Sequence, residues 1–497
     1  MRRNTALFAA ALWTSAGVAS AQEADTPSSG PLHLHSETAR IVDVVDSFDA
    51  GSQFSLRLTA GYQFQRRDLR VQREMRVSNP GTSLGVPQYG DVADYTRSTH
   101  TLLVNAEVGL FHDLAFTFGL PLVLSDARKL RPPSGGSVDN ARAALADGWT
   151  EGPGTPRATY LFDPSFDSPE RSGIDQVSLG LQWSIFNQQR DRNRPTWTLS
   201  FQWRPPVGSL MRPCRQTATG TFCPEASSVP ETPASGNTAP AAAARSAPAN
   251  PDPGISRGLH GVYFQTMVSR RLGYIEPYAG LDFLAEFPIR DSAFRYANTP
   301  LGQLSNFPPI VGTLTAGMEI IPWENRETWQ RLLIDLRFRG AYYSPGRDYS
   351  ALYDALGSSL SRPLNLPGCP SNARDPMTGV TCQAERNVYF DGLTTTASHV
   401  VLGGSAMVSV QPAKFLRFTL GAAFAWTSPH TITNTDACNP GQTVQTDHPE
   451  YRGGCQGNSS PDPTHRPVID SAGGRFRSTN DITWDFYAAI ALTPRIW

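Results

Sequence analysis

Charged side chains at alternate positions of otherwise apolar segments are the residues of this chain best placed to do chemistry. Between residues 331 and 343, for example, Arg331, Asp335, Arg337 and Arg339 alternate with large apolar residues. Around a water-filled space, such a polar face would tune selectivity for ions and solutes. Across a narrow space, the opposite charges would instead pair and fill it.

Twelve charged residues fall on polar faces of this kind. Five are positive and seven are negative, and the mixture of signs favours pairing for most of them. Arg337 and Arg339 beside Asp335 form the densest cluster and predict a constriction. The predicted lining residues are Arg57, Glu107, Arg204, Glu276, Asp282, Glu286, Glu319, Asp335, Arg337, Arg339, Arg417 and Asp485.

Hydrolysis by a serine nucleophile and a histidine base needs both side chains on one face. Ser98 and His100 have that spacing in a strand, but the sequence supplies no evident third group. Ser398 and His399 are adjacent, so in a strand they point to opposite faces. The sequence has no P-loop, dinucleotide fingerprint or H-E-x-x-H motif. We therefore expect no enzyme activity, cofactor or metal, with a lipid-hydrolysing barrel as the third-ranked alternative.

The six cysteines fall into three local pairs, each in a stretch rich in Gly, Pro, Asn, Asp, Ser and Thr. An even number of cysteines in an exported chain indicates disulfides, and six allow fifteen pairings. The local pairing closes three short loops, and it is the one we favour. The predicted pairs are Cys214–Cys223, Cys369–Cys382 and Cys438–Cys455.

The first 21 residues have the pattern of a secretory signal peptide. Arg2 and Arg3 precede an apolar run, and Ala19-Ser20-Ala21 matches the cleavage site, so we expect cleavage after Ala21. The formal net charge of −1 becomes slightly more negative without those arginines, which argues against a nucleic-acid partner. No later apolar run is long enough for a transmembrane helix.

The apolar positions between the charges have a period of two, which predicts β-strands with one apolar face. Residues 99–124 show this best, because two alternating segments flank a three-residue turn at 111–113. Strands of about ten residues can cross a bilayer when tilted. Twelve are predicted: Gln53–Gln65, the two strands within residues 99–124, Asp175–Phe186, Pro195–Pro205, Leu259–Ser269, Gly273–Glu286, Ile310–Ile321, Arg331–Tyr343, His399–Val410, Phe415–Trp426 and Asp481–Leu492.

Short and long connections alternate along the chain, and all three cysteine pairs lie in long ones. This rhythm is typical of an outer-membrane barrel with short periplasmic turns and long outer loops. Together with the signal peptide and aromatic residues near strand ends, it favours an all-β transmembrane antiparallel barrel over a secreted multi-domain sandwich. The implied setting is the outer membrane of a Gram-negative bacterium, and the implied partners are its lipid and the barrel-assembly machinery.

The sequence also allows predictions for three segments outside the strands. Residues 22–50 form a periplasmic N-terminal segment before the barrel at 51–497, and the apolar patch Ala39–Val45 either pairs as a strand or lies in the lumen. Residues 225–256 are Pro/Ala-rich and of low complexity. Tyr349–Leu360 has helical spacing, so a helix there would either fold inward and constrict the pore or fold outward and pack the loop.

Two stretches resemble the outer-membrane barrel family linked to meta-pathway phenol degradation. One is the hairpin VGLFHDLAFTFGLPL at Val108–Leu122, and the other is the strand–turn–strand unit at Ile174–Gly208, which ends in Pro-x-Gly. Together they cover about a tenth of the chain. The resemblance implies a channel-like barrel that passes small organic or aromatic compounds, and it brings no catalytic residues.

The sequence thus favours passage of small solutes through an outer-membrane barrel. The alternative from a different class is a plugged structural barrel that displays disulfide-closed loops for surface interaction. Loops make up more than half of the predicted mature chain, which is the feature that supports this alternative.

Overall fold

The structure is a computed structural model. It describes residues 39, 41–45, 55–77, 86–146, 160–224, 252–294, 307–325, 327–359, 361, 363–364, 390–439, 460–462 and 464–493. The predicted signal peptide and the low-complexity residues 225–250 lie outside these ranges. No described helix is long and apolar enough to span a membrane.

Most described residues belong to strands, which we number in chain order. They are β1 (Leu56–Val77), β2 (Val86–Phe111), β3 (Leu114–Arg131), β4 (Phe166–Asp167), β5 (Arg171–Gly173), β6 (Ser178–Phe186), β7 (Thr196–Arg204), β8 (Arg215–Thr217), β9 (Gly220–Phe222), β10 (Leu259–Ser269), β11 (Ile275–Pro288), β12 (Val311–Asn325), β13 (Gln330–Tyr343), β14 (Gly346–Asp348), β15 (Thr394–Thr396), β16 (His399–Ala413), β17 (Leu416–Thr427), β18 (His430–Thr431), β19 (Cys438–Asn439), β20 (Ser460–Pro461) and β21 (Phe476–Leu492). The helices are α1 (Val138–Ala144), α2 (Tyr353–Gly357) and α3 (Pro467–Asp470).

Twelve of these strands form the wall of one closed antiparallel barrel. Around the barrel they follow the order β1-β2-β3-β6-β7-β10-β11-β12-β13-β16-β17-β21, and β21 pairs back onto β1. Closure satisfies the backbone hydrogen bonds of every wall strand without leaving a sheet edge, as a bilayer requires. The predicted transmembrane antiparallel barrel is confirmed, including its twelve strands.

Each wall strand carries a large apolar side chain on the outer face of the barrel. Val104 on β2 and Leu314 on β12 are examples, and Leu420 on β17 is 66 % exposed. On β7 the neighbours of these outward residues, such as Thr198, are buried on the inner face. An apolar band facing outward and a polar interior are the pattern of a barrel that sits in lipid.

First and last strands meet along a seam that joins the two ends of the chain. The pairing runs from Leu58 opposite Leu492 up to Arg73 opposite Phe476. Two ion pairs cross the seam near its upper end, Arg67–Asp481 at 2.5 Å and Glu74–Arg475 at 2.8 Å. The Asp481 and Glu74 carboxylates are nearly inaccessible to water, so both are neutralised where they are buried.

The predicted strand positions agree with the wall strands, and the largest differences are at the long-loop end. A loop of about thirty residues after Gln65 was expected, but β1 continues to Val77 and β2 begins at Val86. That expectation was wrong because the apolar alternation stops near residue 65 while the hydrogen-bonded ladder continues on polar residues. The turn between β2 and β3 is also shorter than predicted, since β2 includes Phe111.

The described parts of the long loops pack together into a layer that we call the cap. Its main core joins residues from β1, β2 and several loops, including Leu69, Leu161, Leu356 and Phe476. A second cluster contains Met211, Phe294 and Tyr353 from three further loop segments. The cap therefore has its own hydrophobic core at the long-loop end of the barrel.

One of the three predicted disulfides is present in full among the described residues. Cys214 and Cys223 are bonded and close the small hairpin formed by β8 and β9. Cys438 is also disulfide-bonded, but Cys455 lies outside the described residues. The pair Cys369–Cys382 lies outside them as well, so the other two pairings stay predictions.

Candidate functional site

The charged residues predicted from the alternating pattern point into the barrel, and most of them are paired there. Arg57 donates to Glu107 at 3.0 Å, and Asp485 accepts from two glutamines of β1. Arg339 lies 3.8 Å from Asp282. These contacts join strands that are neighbours or next neighbours in the wall, and pairing across the lumen stays a prediction.

The remaining predicted residues also have interior neighbours. Arg204 lies over the ring of Tyr263 at 4.6 Å, and Arg417 donates to Gln411 at 3.3 Å. Glu276 accepts from Ser269, and Glu286 is paired with Arg257. Glu319 on β12 is buried and lies beside Glu276 in the strand register.

The predicted cluster at Asp335 and Arg337 is centred on a tyrosine. The Tyr278 hydroxyl donates to Asp335 Oδ1, and Arg337 donates both to that hydroxyl at 3.0 Å and to Asp335 Oδ2 at 2.7 Å. Tyr278 is buried, so the cluster spans the inner wall from β11 to β13. The pattern of charged residues predicted Asp335 and Arg337 as a cluster but not the uncharged tyrosine at its centre.

Against this tyrosine lies a short piece of the N-terminal segment, residues 39 and 41–45, which we call the plug. Ala39 and Val42 are buried and pack on the inward side chains of Met267 and Tyr278. A turn shapes the plug, because Val42 N donates to Ala39 O at 2.9 Å. The sequence left two alternatives for Ala39–Val45, pairing as a strand or lying in the lumen. The described residues of this segment lie in the lumen and do not form a wall strand.

A carboxylate anchors the plug at the short-turn end of the barrel. Asp43 accepts from Arg57 at 2.5 Å. Burial alone would raise the pKa of Asp43, but the charges of Arg57 and then Arg417 outweigh it and hold the pKa below its ordinary value. Asp43 is the luminal charge that sequence reasoning missed, since it lies outside the strands and follows no alternation.

At the other end, a buried ion pair crosses the mouth of the barrel. Arg171 of β5 and Asp354 of α2 form two hydrogen bonds of 3.0 and 2.6 Å, and both side chains are almost inaccessible to water. Arg171 lies between β3 and β6, and Asp354 lies between β13 and β16. These positions are six strands apart in a ring of twelve, so the pair joins opposite sides of the cap.

The segment Tyr349–Leu360 contains a helix, but a shorter one than its spacing suggested. Only α2 is helical, and all five of its residues are buried. Tyr349 contacts both Tyr353 and Phe294 edge to face. The neighbours of the helix include residues of wall strands as well as loops, since Leu356 belongs to the same core as Leu69 of β1. The helix is therefore part of the cap over the mouth.

Burial shifts the pKa values of ionisable groups in the cap. The pKa of Asp348 is raised by burial, which the charge of Arg257 only partly offsets. Burial and then the neighbouring His399 lower the pKa of His430 to about 4. The two histidine rings are stacked with centroids 3.9 Å apart.

The serine–histidine pairs considered from the sequence do not form a catalytic arrangement. His100 hydrogen-bonds the hydroxyl of Tyr62 at 2.6 Å and packs on Phe64. His399 Nδ1 bonds the carbonyl oxygen of Ala397. Among the described residues, no group of three or more His, Cys, Asp or Glu side chains could hold a metal ion.

Comparison with known proteins finds no matching family and no matching curated protein. Solved structures do match over most of their length. An outer-membrane channel from Pseudomonas putida F1 is 7% identical with a TM-score of 0.36, covering 90% of this chain and 100% of its own. A Pseudomonas aeruginosa FadL homologue is 10% identical with a TM-score of 0.32, covering 88% and 90%.

The P. putida toluene transporter TodX is 9% identical with a TM-score of 0.28, covering 89% of this chain and 91% of its own. The outer membrane protease OmpT from Escherichia coli is 7% identical with a TM-score of 0.25, covering 88% and 97%. At TM-scores this low, the fold assignment rests on the strand pairing of the barrel itself.

Proposed function

We propose that this chain is an outer-membrane channel for small solutes that is closed at rest. The observation that carries the proposal is the plug: a separate piece of chain lies in the lumen, packed on Tyr278 and paired with Arg57. A closed resting lumen that one segment can open is the arrangement of a gated passage.

The size of the barrel supports this proposal. An eight-stranded barrel is just wide enough for its own side chains to fill, and the diameter grows with strand number. A twelve-stranded barrel therefore has room beyond its wall side chains. Part of that room is taken by the plug, which is not hydrogen-bonded into the wall as a strand.

The contacts of the plug suggest how it leaves. Ala39 and Val42 contribute only small apolar surfaces against Met267 and Tyr278, and Asp43 forms an ion pair with Arg57. Displacement would expose a luminal surface that combines Tyr278 with the charges of Asp335 and Arg337. Such a surface suits small organic solutes that carry a polar group, and the resemblance to the phenol-pathway barrels adds aromatic compounds to that class.

The test is single-channel conductance of the refolded full chain in a planar bilayer, compared with two variants. In the first variant, residues 39–45 are replaced by a Gly/Ser segment of equal length. In the second, Asp43→Asn removes the anchoring charge. We expect rare openings for the native chain, more for Asp43→Asn and persistent ohmic steps for the replaced plug.

A matched control is Asp191→Asn, which removes an exposed carboxylate that pairs with Arg194 in the turn between β6 and β7. It should behave as the native chain does. If the replaced-plug variant folds but stays closed, the channel proposal fails.

A closed variant would favour the second candidate, a structural barrel that presents its loops to other surfaces. The specific observation behind it is the cap, whose own hydrophobic core and Cys214–Cys223 disulfide give the outer loops a fixed shape.

A further inference from the structure

The cap carries a cavity that neither the channel nor its closure uses. It is open to solvent, has a volume of about 420 Å³, and lies between residues 160–167, the β8–β9 hairpin and the end of α2. This volume is within the range of pockets that bind small molecules. None of the predicted luminal residues lines it.

Arg215 of β8 is the only cation that lines this cavity among the described residues. Its guanidinium lies 4.6 Å from the centre of the Phe222 ring, and no carboxylate in the part of the chain that the structure describes pairs with it. Its Nε atom is buried without a hydrogen-bond partner. Burial lowers the pKa of Arg215, as expected for a cation without a counter-charge.

Next to Arg215, Gln216 presents a second donor. Its Oε1 accepts from Thr221 at 3.0 Å, which leaves its amide nitrogen without a protein acceptor in the described part of the chain. The acidic residues of the cavity are already engaged, because Asp167 pairs with Arg131 at 2.7 Å and Asp163 accepts from Ser165. Among the described residues that line the cavity, the buried side-chain atom without a hydrogen-bond partner is a donor, Nε of Arg215.

Aromatic side chains supply the apolar part of the lining. Phe162 and Phe166 are buried, and Tyr160 is 46 % exposed at the opening. The hairpin that carries the two donors is closed by the Cys214–Cys223 disulfide, which fixes its position on the cap. Fixed donors lose less entropy when they bind a ligand.

We propose that this cavity binds a small organic anion of the aromatic carboxylate class. The carboxylate accepts from Arg215 and Gln216, and the ring lies against the aromatic lining. This site is independent of the proposed channel, because it lies on the cap and needs no open lumen.

The test is equilibrium binding to the folded, oxidised full chain in detergent, measured by titration calorimetry. Benzoate is the probe, benzamide is its neutral counterpart, and inorganic phosphate is an anion without a ring. We expect benzoate to bind one to one and each of the other two at least about tenfold more weakly. Equal affinity for benzoate and benzamide would overturn the role of charge, and equal affinity for phosphate would overturn the role of the ring.

Variants locate the binding at Arg215. Arg215→Gln should weaken benzoate binding at least about tenfold, since a hydrogen bond to a charged group is among the stronger ones. Arg215→Lys should keep the preference for benzoate over benzamide. Arg290→Gln, which removes an exposed arginine after β11, is the matched control and should leave binding unchanged. Unchanged affinity in Arg215→Gln would place the ligand elsewhere.

Discussion

Replacing Asp354 by asparagine is predicted to open the cap while the barrel stays folded. The Asp354 carboxylate accepts three hydrogen bonds: two from Arg171, and one of 3.0 Å from the backbone N–H of Cys214. The change keeps the shape of the side chain but removes its charge. The guanidinium of Arg171 would then be buried without a counter-charge, with only the neutral amide oxygen of the new asparagine and the carbonyl oxygen of Arg212 as acceptors.

The expected magnitude follows from the burial of the pair. Arg171 and Asp354 are 0 % and 4 % exposed, and removing one partner of such a pair costs about 3–5 kcal/mol. Each 1.4 kcal/mol is about a factor of ten in an equilibrium constant. The open population of the cap should therefore rise by about two to three and a half orders of magnitude.

Limited proteolysis of the refolded protein measures this population, and heat-modifiable gel mobility reports separately on the barrel. A matched control is Asp167→Asn, which breaks the exposed pair with Arg131 and should cost less than about 1 kcal/mol. The double variant Arg171→Met with Asp354→Leu should recover most of the protection, because no buried charge remains. Unchanged protection in Asp354→Asn, or a double variant as sensitive as the single one, would refute the reasoning.

Three further predictions concern the wall, the disulfide and acid. Phe338→Arg places a charge on the lipid face and should lower barrel stability in vesicles by about 2–4 kcal/mol in unfolding titrations. Cys214→Ser with Cys223→Ser should destabilise the β8–β9 hairpin by about 3 kcal/mol, seen as faster proteolysis at that hairpin. Because the pKa of His430 is lowered in the folded cap, the unfolded loop binds a proton at a higher pH than the folded cap does. The stability of the cap should therefore fall by about 3 kcal/mol as the pH drops from about 6.5 to about 4. His430→Phe should reduce that loss when proteolysis is followed against pH.

The wall strands could be predicted from the sequence because the alternation of apolar and polar residues is a signal contained within each strand. The predicted strand Arg331–Tyr343 begins one residue after the observed β13 and ends with it, since charged and apolar residues alternate from Asp335 to Arg339. The upper parts of β1 and β2 could not be predicted in this way. There the ladder is stabilised by polar contacts such as Arg67 with Asp481, whose sequence separation of 414 residues leaves no local signal.

In the candidate site, too, only the features with a local sequence signal could be predicted. The charges that face the lumen follow from alternation, so their inward direction was predictable, whereas their partners depend on register and closure. Asp43 and the pair of Arg171 with Asp354 lie outside the alternating strands, and nothing local distinguishes them from solvated loop residues. For the plug, the sequence left two positions open, a strand or the lumen, because a short apolar patch fits either a strand or an enclosed segment.

The seam between β1 and β21 has a consequence for how the molecule forms. The ladder that closes the barrel pairs Leu58 with Leu492, so the wall is incomplete until the end of the chain is available. Contacts this distant in sequence make folding slow. Until they form, the unpaired edges of both strands can pair with other chains. Newly exported chains therefore need protection from aggregation during this interval, and a chain truncated before β21 should aggregate instead of inserting.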